Sequence, residues 1–363
     1  MSKLHTPLCD HLGIRVPIIQ APMAGGPSSP ELVTAVTRAG ALGSFGFAYM
    51  QPEAMQRDAE AVRAHTHLPF NLNLFASQQP PAIPAAEQRD AITAVAGYYE
   101  ELGLPLPEPV RPPFAPDLEA QYAAAAEIRP AVLTFHLGAM APERVRHFQS
   151  LGVRVGGGAT CVAEAERLEA LGVDFIIAQG AEAGGHRGTY LRDPYDAMTG
   201  TFALVRLIVR KVRTPVVAAG GIMDGAGIAA ALALGAQAAQ LGTAFIACPE
   251  SGASRVHKKR LLAAQEDETL ITEKFSGKPA RGLANRFIRE MDGRDAPQLA
   301  FPAQNALTGK LRAAAAKAGN PDFVAMWAGQ AAPLSRAMSA AELVEMLEAE
   351  TLECLERLAA LRA

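Results

Sequence analysis

No stretch of the 363-residue chain approaches the roughly 20 consecutive apolar residues that cross a bilayer, although hydrophobic types make up 49% of it. That combination excludes a helical membrane protein and leaves an ordinary globular core. An excess of either charge is also missing: 34 Lys and Arg against 37 Asp and Glu give a formal net charge of -3. The densest basic run, Arg255 to Arg260, is short and reads as a solvated face, so nucleic acid is not an expected partner. Cysteine is sparse, with Cys9, Cys161, Cys248 and Cys354 far apart, no CxxC and no histidine at metal-ligand spacing. Reduced, mostly buried thiols are expected, with Cys248 placed to line a pocket. The first residues lack the apolar core and cleavage site of a secretory signal, which makes the cytoplasm the expected compartment.

What is present is a repeated unit: a short apolar or β-branched run, a polar or glycine-rich turn, then an amphipathic helical stretch. Eight runs can serve as strands, at 15–22, 41–47, 69–75, 131–138, 153–158, 174–180, 215–221 and 238–245. Helix ends mark the spaces between them. Ser29 is placed to cap a helix with Pro30 at its first position, and Asp224 to cap the helix that follows "AAGGIM". Short helix-to-strand turns favour parallel strands in right-handed crossovers. The expected fold is therefore α/β, a TIM (β/α)8 barrel over residues 1–248, with a helical or α+β cap at 249–338 and a closing helix at 339–363. A proline-rich excursion at 78–116 around one helix is expected to run over the rim. An open doubly wound sheet competes; the barrel is favoured because polar and glycine residues recur at most of the strand ends, where a barrel gathers its active site.

Those ends are rich in carboxamides and glycine and poor in acids: Met23 after Ala-Pro, Asn71 and Asn73, His136, Gln179 with Gly184, Gly220-Gly221, and Gln240-Leu241-Gly242-Thr243. No cluster of acids and histidines suits a metal, so none is expected. Carboxamides both donate and accept, and backbone N–H groups are exposed at glycine, which suits the edge of a flat heteroaromatic ring such as flavin. "AAGGIMDG" and "QLGTAF" in successive units form the kind of turn pair that holds a phosphate in barrels. A dinucleotide loop is a weak alternative, since no GxGxxG occurs and Gln240 stands where an acid is needed. Asn71 and Asn73 share one strand face; each, like Gln179 and Gln240, is equally explained as a satisfied core amide. His136 is a hydrogen-bonded strand-end residue or a substrate contact. His186 follows Gly184-Gly185 in a segment with no apolar face of its own, which favours a placed imidazole, a base, over a buried one.

These residues match a known family. Through "PIIQAPMAGG", "NLNLF", "AQGAEAGGHRG", "VVAAGGI", "AQLGTAFIACPES", "FSGKPARGLANRFI" and "MWAGQ", the chain resembles the class I flavin-dependent nitronate monooxygenases, formerly called 2-nitropropane dioxygenases. The resemblance implies FMN as cofactor, contacted by Asn71, Gln179, Gly184 and Gly220, with Gln240, Leu241, Gly242 and Thr243 holding its phosphate. His186 corresponds to the family's catalytic histidine, and His136 with the cap would shape the substrate side. The implied reaction oxidises alkyl nitronates, propionate 3-nitronate among them, with O2 to a carbonyl compound and nitrite. His186 would deprotonate a neutral nitroalkane but only position or neutralise a nitronate. Two other functions stay open: an NAD(P)H-dependent flavin reductase of quinones or enoyl thioesters on the same barrel, and a flavin carrier without catalysis. The expected partners are the small nitro compound and O2, with a homodimer left open.

Overall fold

The computed structural model describes residues 4–76 and 82–361; the start of the proline-rich excursion, 78–81, lies outside them. The described strands in chain order are β1 (Ile18–Gln20), β2 (Gly43–Gly46), β3 (Phe70–Phe75), β4 (Val132–His136), β5 (Arg154–Ala159), β6 (Phe175–Gln179), β7 (Gly185–His186), β8 (Val216–Ala219), β9 (Ala238–Leu241), β10 (Thr269–Thr272) and β11 (Ala280–Leu283). Eight of them form one parallel sheet in the order β1-β9-β8-β6-β5-β4-β3-β2. A parallel bridge from Ile19 to Leu42, just before β2, joins the two ends and closes the sheet as a TIM barrel. All eight expected strand runs contain a barrel strand.

Alternation along the strands divides the apolar residues into two layers. One set, with Ile19, Val132, Phe175, Ile177 and Val217, meets Leu8, Cys9 and Leu12 of the short helix Pro7–Leu12 in a common cluster. That cluster plugs one end of the barrel interior. The alternate set, with Ile18, Phe45, Leu133, Phe135 and Ile176, packs under the surrounding helices. The caps are where the sequence puts them: Ser29 Oγ accepts from the Leu32 amide at 3.1 Å, and Asp224 Oδ1 from the Gly227 amide at 2.8 Å. The final helix, Ala340–Ala360, starts in a capping box of Ser339 and Glu342.

The segment after the last barrel strand forms an α+β cap whose β10 and β11 make an antiparallel sheet, joined at its edge by β7 from the loop after β6. Its core also takes in part of the excursion. Helix Ala85–Glu101 buries Ala91, Val95, Tyr98 and Tyr99 among cap residues such as Phe275, Phe287 and Phe323 rather than in the barrel core. Met23 touches both cores. Among the described residues no helix is long and apolar enough to cross a membrane.

Candidate active site

A cavity of about 660 Å³ lies between the barrel's strand ends and the cap, a size suited to a cofactor and a small substrate. Its wall includes Met23, His136, Gln179, Gly184, His186, Gly220, Gly221, Gln240, Gly242 and Thr243. Two expected contacts, Asn71 and Leu241, are not on it. Asn71 is registered beside Val132 on the inward face, fully buried, and exchanges hydrogen bonds of 3.0 and 3.2 Å with Thr134 Oγ1. Asn73, two residues further along the same face, reaches the cavity and donates to the same hydroxyl at 2.9 Å. The cavity lining thus begins one strand repeat beyond Asn71, roughly 6–7 Å along the strand. Leu241 belongs to the layer beneath the helices, because its neighbour Gln240 takes the inward position. Gln240 Oε1 is buried there without a hydrogen-bond partner.

The stretch from Gln179 to Leu191 is tied down at three points. Gln179 spends its amide on the chain itself, donating to the His186 carbonyl at 3.0 Å and accepting from the Gly188 amide at 2.8 Å. Arg187 is fully buried and donates to the carbonyls of Gln179, Gly180 and Ala197 at 3.2, 2.6 and 2.6 Å. Glu164, from the preceding barrel helix, accepts from the Thr160 hydroxyl and amide, the Thr189 hydroxyl and the Tyr190 and Leu191 amides. Burial pushes the Glu164 carboxyl up, but these donors outweigh it and hold the pKa below the usual carboxylate range. The glycines serve close packing. A Cβ on Gly184 would stand 2.7 Å from the Ala328 carbonyl carbon, and one on Gly188 2.3 Å from His136 Cε1.

His186 is accordingly a strand residue, paired with Ala280 of the cap sheet, and its ring lies between Phe301 and Trp327 at centroid distances of 5.6 and 5.5 Å. The segment has no apolar face of its own, and the cap supplies the apolar surroundings of the ring. The proton positions follow from the partners. The Ser276 hydroxyl donates to the Lys278 carbonyl at 3.1 Å, so it accepts from His186 Nε2–H at 2.9 Å, and the lone pair remains on Nδ1. His136 donates through Nε2 to the His186 carbonyl at 3.2 Å. Burial, helped by nearby His136, Lys278 and Arg312, pushes the His186 pKa down to about 3. Burial likewise lowers His136 to about 4. Both rings are neutral at physiological pH, and a proton on His186 is favoured only when an anion stands beside it.

A family model described as nitronate monooxygenase matches residues 5–350. The chain belongs to the nitronate monooxygenase family. It is 43% identical to the nitronate monooxygenase of Paraburkholderia phytofirmans, over 96% of this chain and 95% of that one. The nitronate monooxygenase of Pseudomonas aeruginosa is also 43% identical, over 93% of this chain and 97% of its own. A solved nitroalkane oxidase from Streptomyces ansochromogenes superposes with a TM-score of 0.89 at 40% identity, covering 97% of this chain and 99% of that one. FabK from Thermotoga maritima follows the same fold with a TM-score of 0.78 at 30% identity, each chain covered to 99%. The protein is thus an enzyme, an oxidoreductase of the nitronate monooxygenase family.

In this nitronate monooxygenase family member the opposite wall of the cavity is made by the cap and by the turn after β2, and sequence reasoning missed it. Among the described residues, Arg312, from helix Gly309–Ala318, is the one charged residue on the cavity wall, with no Asp or Glu beside it there. Tyr49, Asn305 and Trp327 join it. Thr243, expected to offer its hydroxyl to a phosphate, accepts from the Gly329 amide at 3.0 Å and so joins the two walls. "GKLRAAAAKAG" reads as a solvent-facing amphipathic helix, and nothing in it marks Arg312 as enclosed. Trp327 could have been found, because "MWAGQ" is among the motifs of the resemblance.

Proposed function

We propose that the cavity binds FMN along the barrel wall and that the enzyme oxidises alkyl nitronates, including propionate 3-nitronate, with O2 to a carbonyl compound and nitrite. The residues fit the cofactor. Gln240 Oε1, buried without a partner, needs a donor such as a ring N–H, and Asn73 stands on the same wall. Gly220 and Gly221, with φ of 116° and 71°, and Gly242 leave backbone open for a phosphate, beside the Thr243 O–H. When bound, FMN supplies one-electron redox chemistry between an electron-rich substrate and O2.

The observation that carries this reading is the carboxylate-free cavity wall around a neutral imidazole. Such a wall favours an anion, and a nitronate is an anion from the outset. His186 Nδ1 takes the α-proton of a neutral nitroalkane, and the resulting imidazolium is offset by the nitronate formed. For a preformed nitronate no proton has to move, and His186 only orients it between Phe301 and Trp327.

The test is nitrite release in air by yellow purified protein given propyl 1-nitronate and propionate 3-nitronate. Expected are a flavin spectrum, nitrite from both compounds and slow bleaching by anaerobic NADH. The likeness to FabK makes a reductase the second reading. Fast bleaching by NADH together with no nitrite would sink the monooxygenase assignment in its favour.

A further inference from the structure

Arg312 is a cation without a counter-ion. Its Nε donates to Thr308 Oγ1 at 3.1 Å and its Nη2 to the Asn305 carbonyl and Oδ1, both at 2.7 Å. Among the described residues no carboxylate forms an ion pair with it, and Nη1 is left open. The neighbouring ionisable groups are Tyr49, Tyr99 and the neutral His186. Tyr99 already donates to the Leu307 carbonyl at 2.5 Å. Tyr49 lines the cavity with its hydroxyl buried and unpartnered. Burial pushes its pKa up to about 12, so it stays a neutral donor rather than a counter-charge. A guanidinium and an idle hydroxyl donor that line one cavity and feel each other's charge are a costly arrangement unless an anion stands near them.

The pair stands on the substrate side. Ring contacts run from Tyr49 to Phe75 at 5.6 Å, from Phe75 to Phe301 at 6.1 Å and from Phe301 to His186 at 5.6 Å. The phosphate turn has other neighbours, since Gly221 faces Glu182 and Thr243 is bonded to Gly329.

We propose that Arg312 and the Tyr49 hydroxyl form an anion subsite in the cap wall that grips a carboxylate on the substrate, selecting nitronates that carry one at the end away from the reacting carbon. The proposal rests on the nitronate reading for the reaction but not for the subsite itself. A guanidinium suits the task because its charge strengthens the hydrogen bonds that the open Nη1 can donate to a carboxylate, and a phenol adds a donor without adding charge.

The first test compares propionate 3-nitronate with propyl 1-nitronate, which lacks the carboxylate. In Arg312→Gln the KM for the first should rise on the order of 100-fold, with that for the second within about 3-fold. Arg312→Lys should keep part of the preference, and Tyr49→Phe should weaken it less than Arg312→Gln does. Equal losses on both substrates would make Arg312 a structural residue, and loss of bound flavin would assign it to the cofactor phosphate; either overturns the proposal. The second test needs no turnover: calorimetric titration of wild type with propionate and with its neutral analogue propanamide. Propionate should bind more tightly, the difference vanishing in Arg312→Gln and surviving in Arg312→Lys. No preference in wild type overturns the subsite even if nitronates are oxidised. A preference in an enzyme that releases no nitrite keeps the subsite and removes the nitronate reading.

Discussion

The two walls of the cavity are built on opposite principles. The barrel wall has glycine, amide and hydroxyl groups at the ends of parallel strands, and its only ionisable residues, His136 and His186, are neutral. The opposite wall sets Trp327 of the cap and Tyr49 among small residues and carries Arg312, the one permanent charge among the described residues of the lining. A backbone-rich, uncharged wall suits a large flat cofactor that must be held in one place, because strands fix positions more tightly than loops. A wall with one cation among rings suits discrimination between small anions of similar shape. His186 belongs to both, since its carbonyl is held by Gln179 and His136 of the barrel while its strand pairs with β11 of the cap. The lesson is that cofactor retention and substrate choice are separable by mutation, with His186 at the junction.

The largest expected effect tests that junction. His186→Asn should lower turnover of neutral nitroalkanes on the order of 1,000-fold, the usual range for a lost general base. Turnover of preformed nitronates should fall by less than about 10-fold, and bound flavin should be unchanged. Steady-state nitrite release with both substrate types checks it; equal losses would mean that His186 positions the substrate and removes no proton.

A smaller effect concerns the histidines that stitch the walls together. His136 bonds to the His186 carbonyl, His186 to Ser276, and His257 Nε2 to the Trp327 carbonyl at 3.1 Å. Burial holds His257 down to about 4, as it does His136, with His186 near 3. Below the unfolded pKa of about 6.5 the unfolded chain binds protons that the folded one refuses. Stability should therefore be complete above about pH 6.5 and fall as the pH drops toward 4, by up to about 1.4 kcal/mol per pH unit for each ring. Urea titrations at several pH values check this, and His257→Asn should flatten the slope; a slope unaffected by that change would show that His257 is not a contributor.

The smallest effect separates neighbours on one strand. Asn73→Ser should weaken flavin retention while changing stability by less than about 1 kcal/mol. Asn71→Ser should cost about 1–2 kcal/mol of stability through the bond to Thr134 and leave flavin affinity intact. Equilibrium dialysis and thermal unfolding distinguish the two, and reversed outcomes would restore Asn71 as the cofactor contact.

Much of the barrel was legible because its signals are local. A strand announces itself in a few apolar residues, a helix start in Ser29 or Asp224, and the polar residues that end a barrel strand lie next to it in sequence. The cap resisted for the opposite reason. Arg312 and Tyr49 come to one cavity from segments far apart in the chain, and helix Ala85–Glu101 finds its partners after residue 270. Glu164 gave no signal either, because a carboxylate in an amphipathic helix reads as solvent-facing until the loop it caps folds over it.

The sequence by itself determined the parallel barrel, the family and the candidate groups at the barrel's strand ends, since periodicity and motif are properties of neighbouring residues. Tertiary structure alone decided that Asn73 rather than Asn71 reaches the cavity, that His186 is clamped and neutral, and that one arginine of the cavity wall has no carboxylate partner among the described residues. Register, burial and the pairing of charges depend on which distant segments come together, and no short stretch of sequence carries that information.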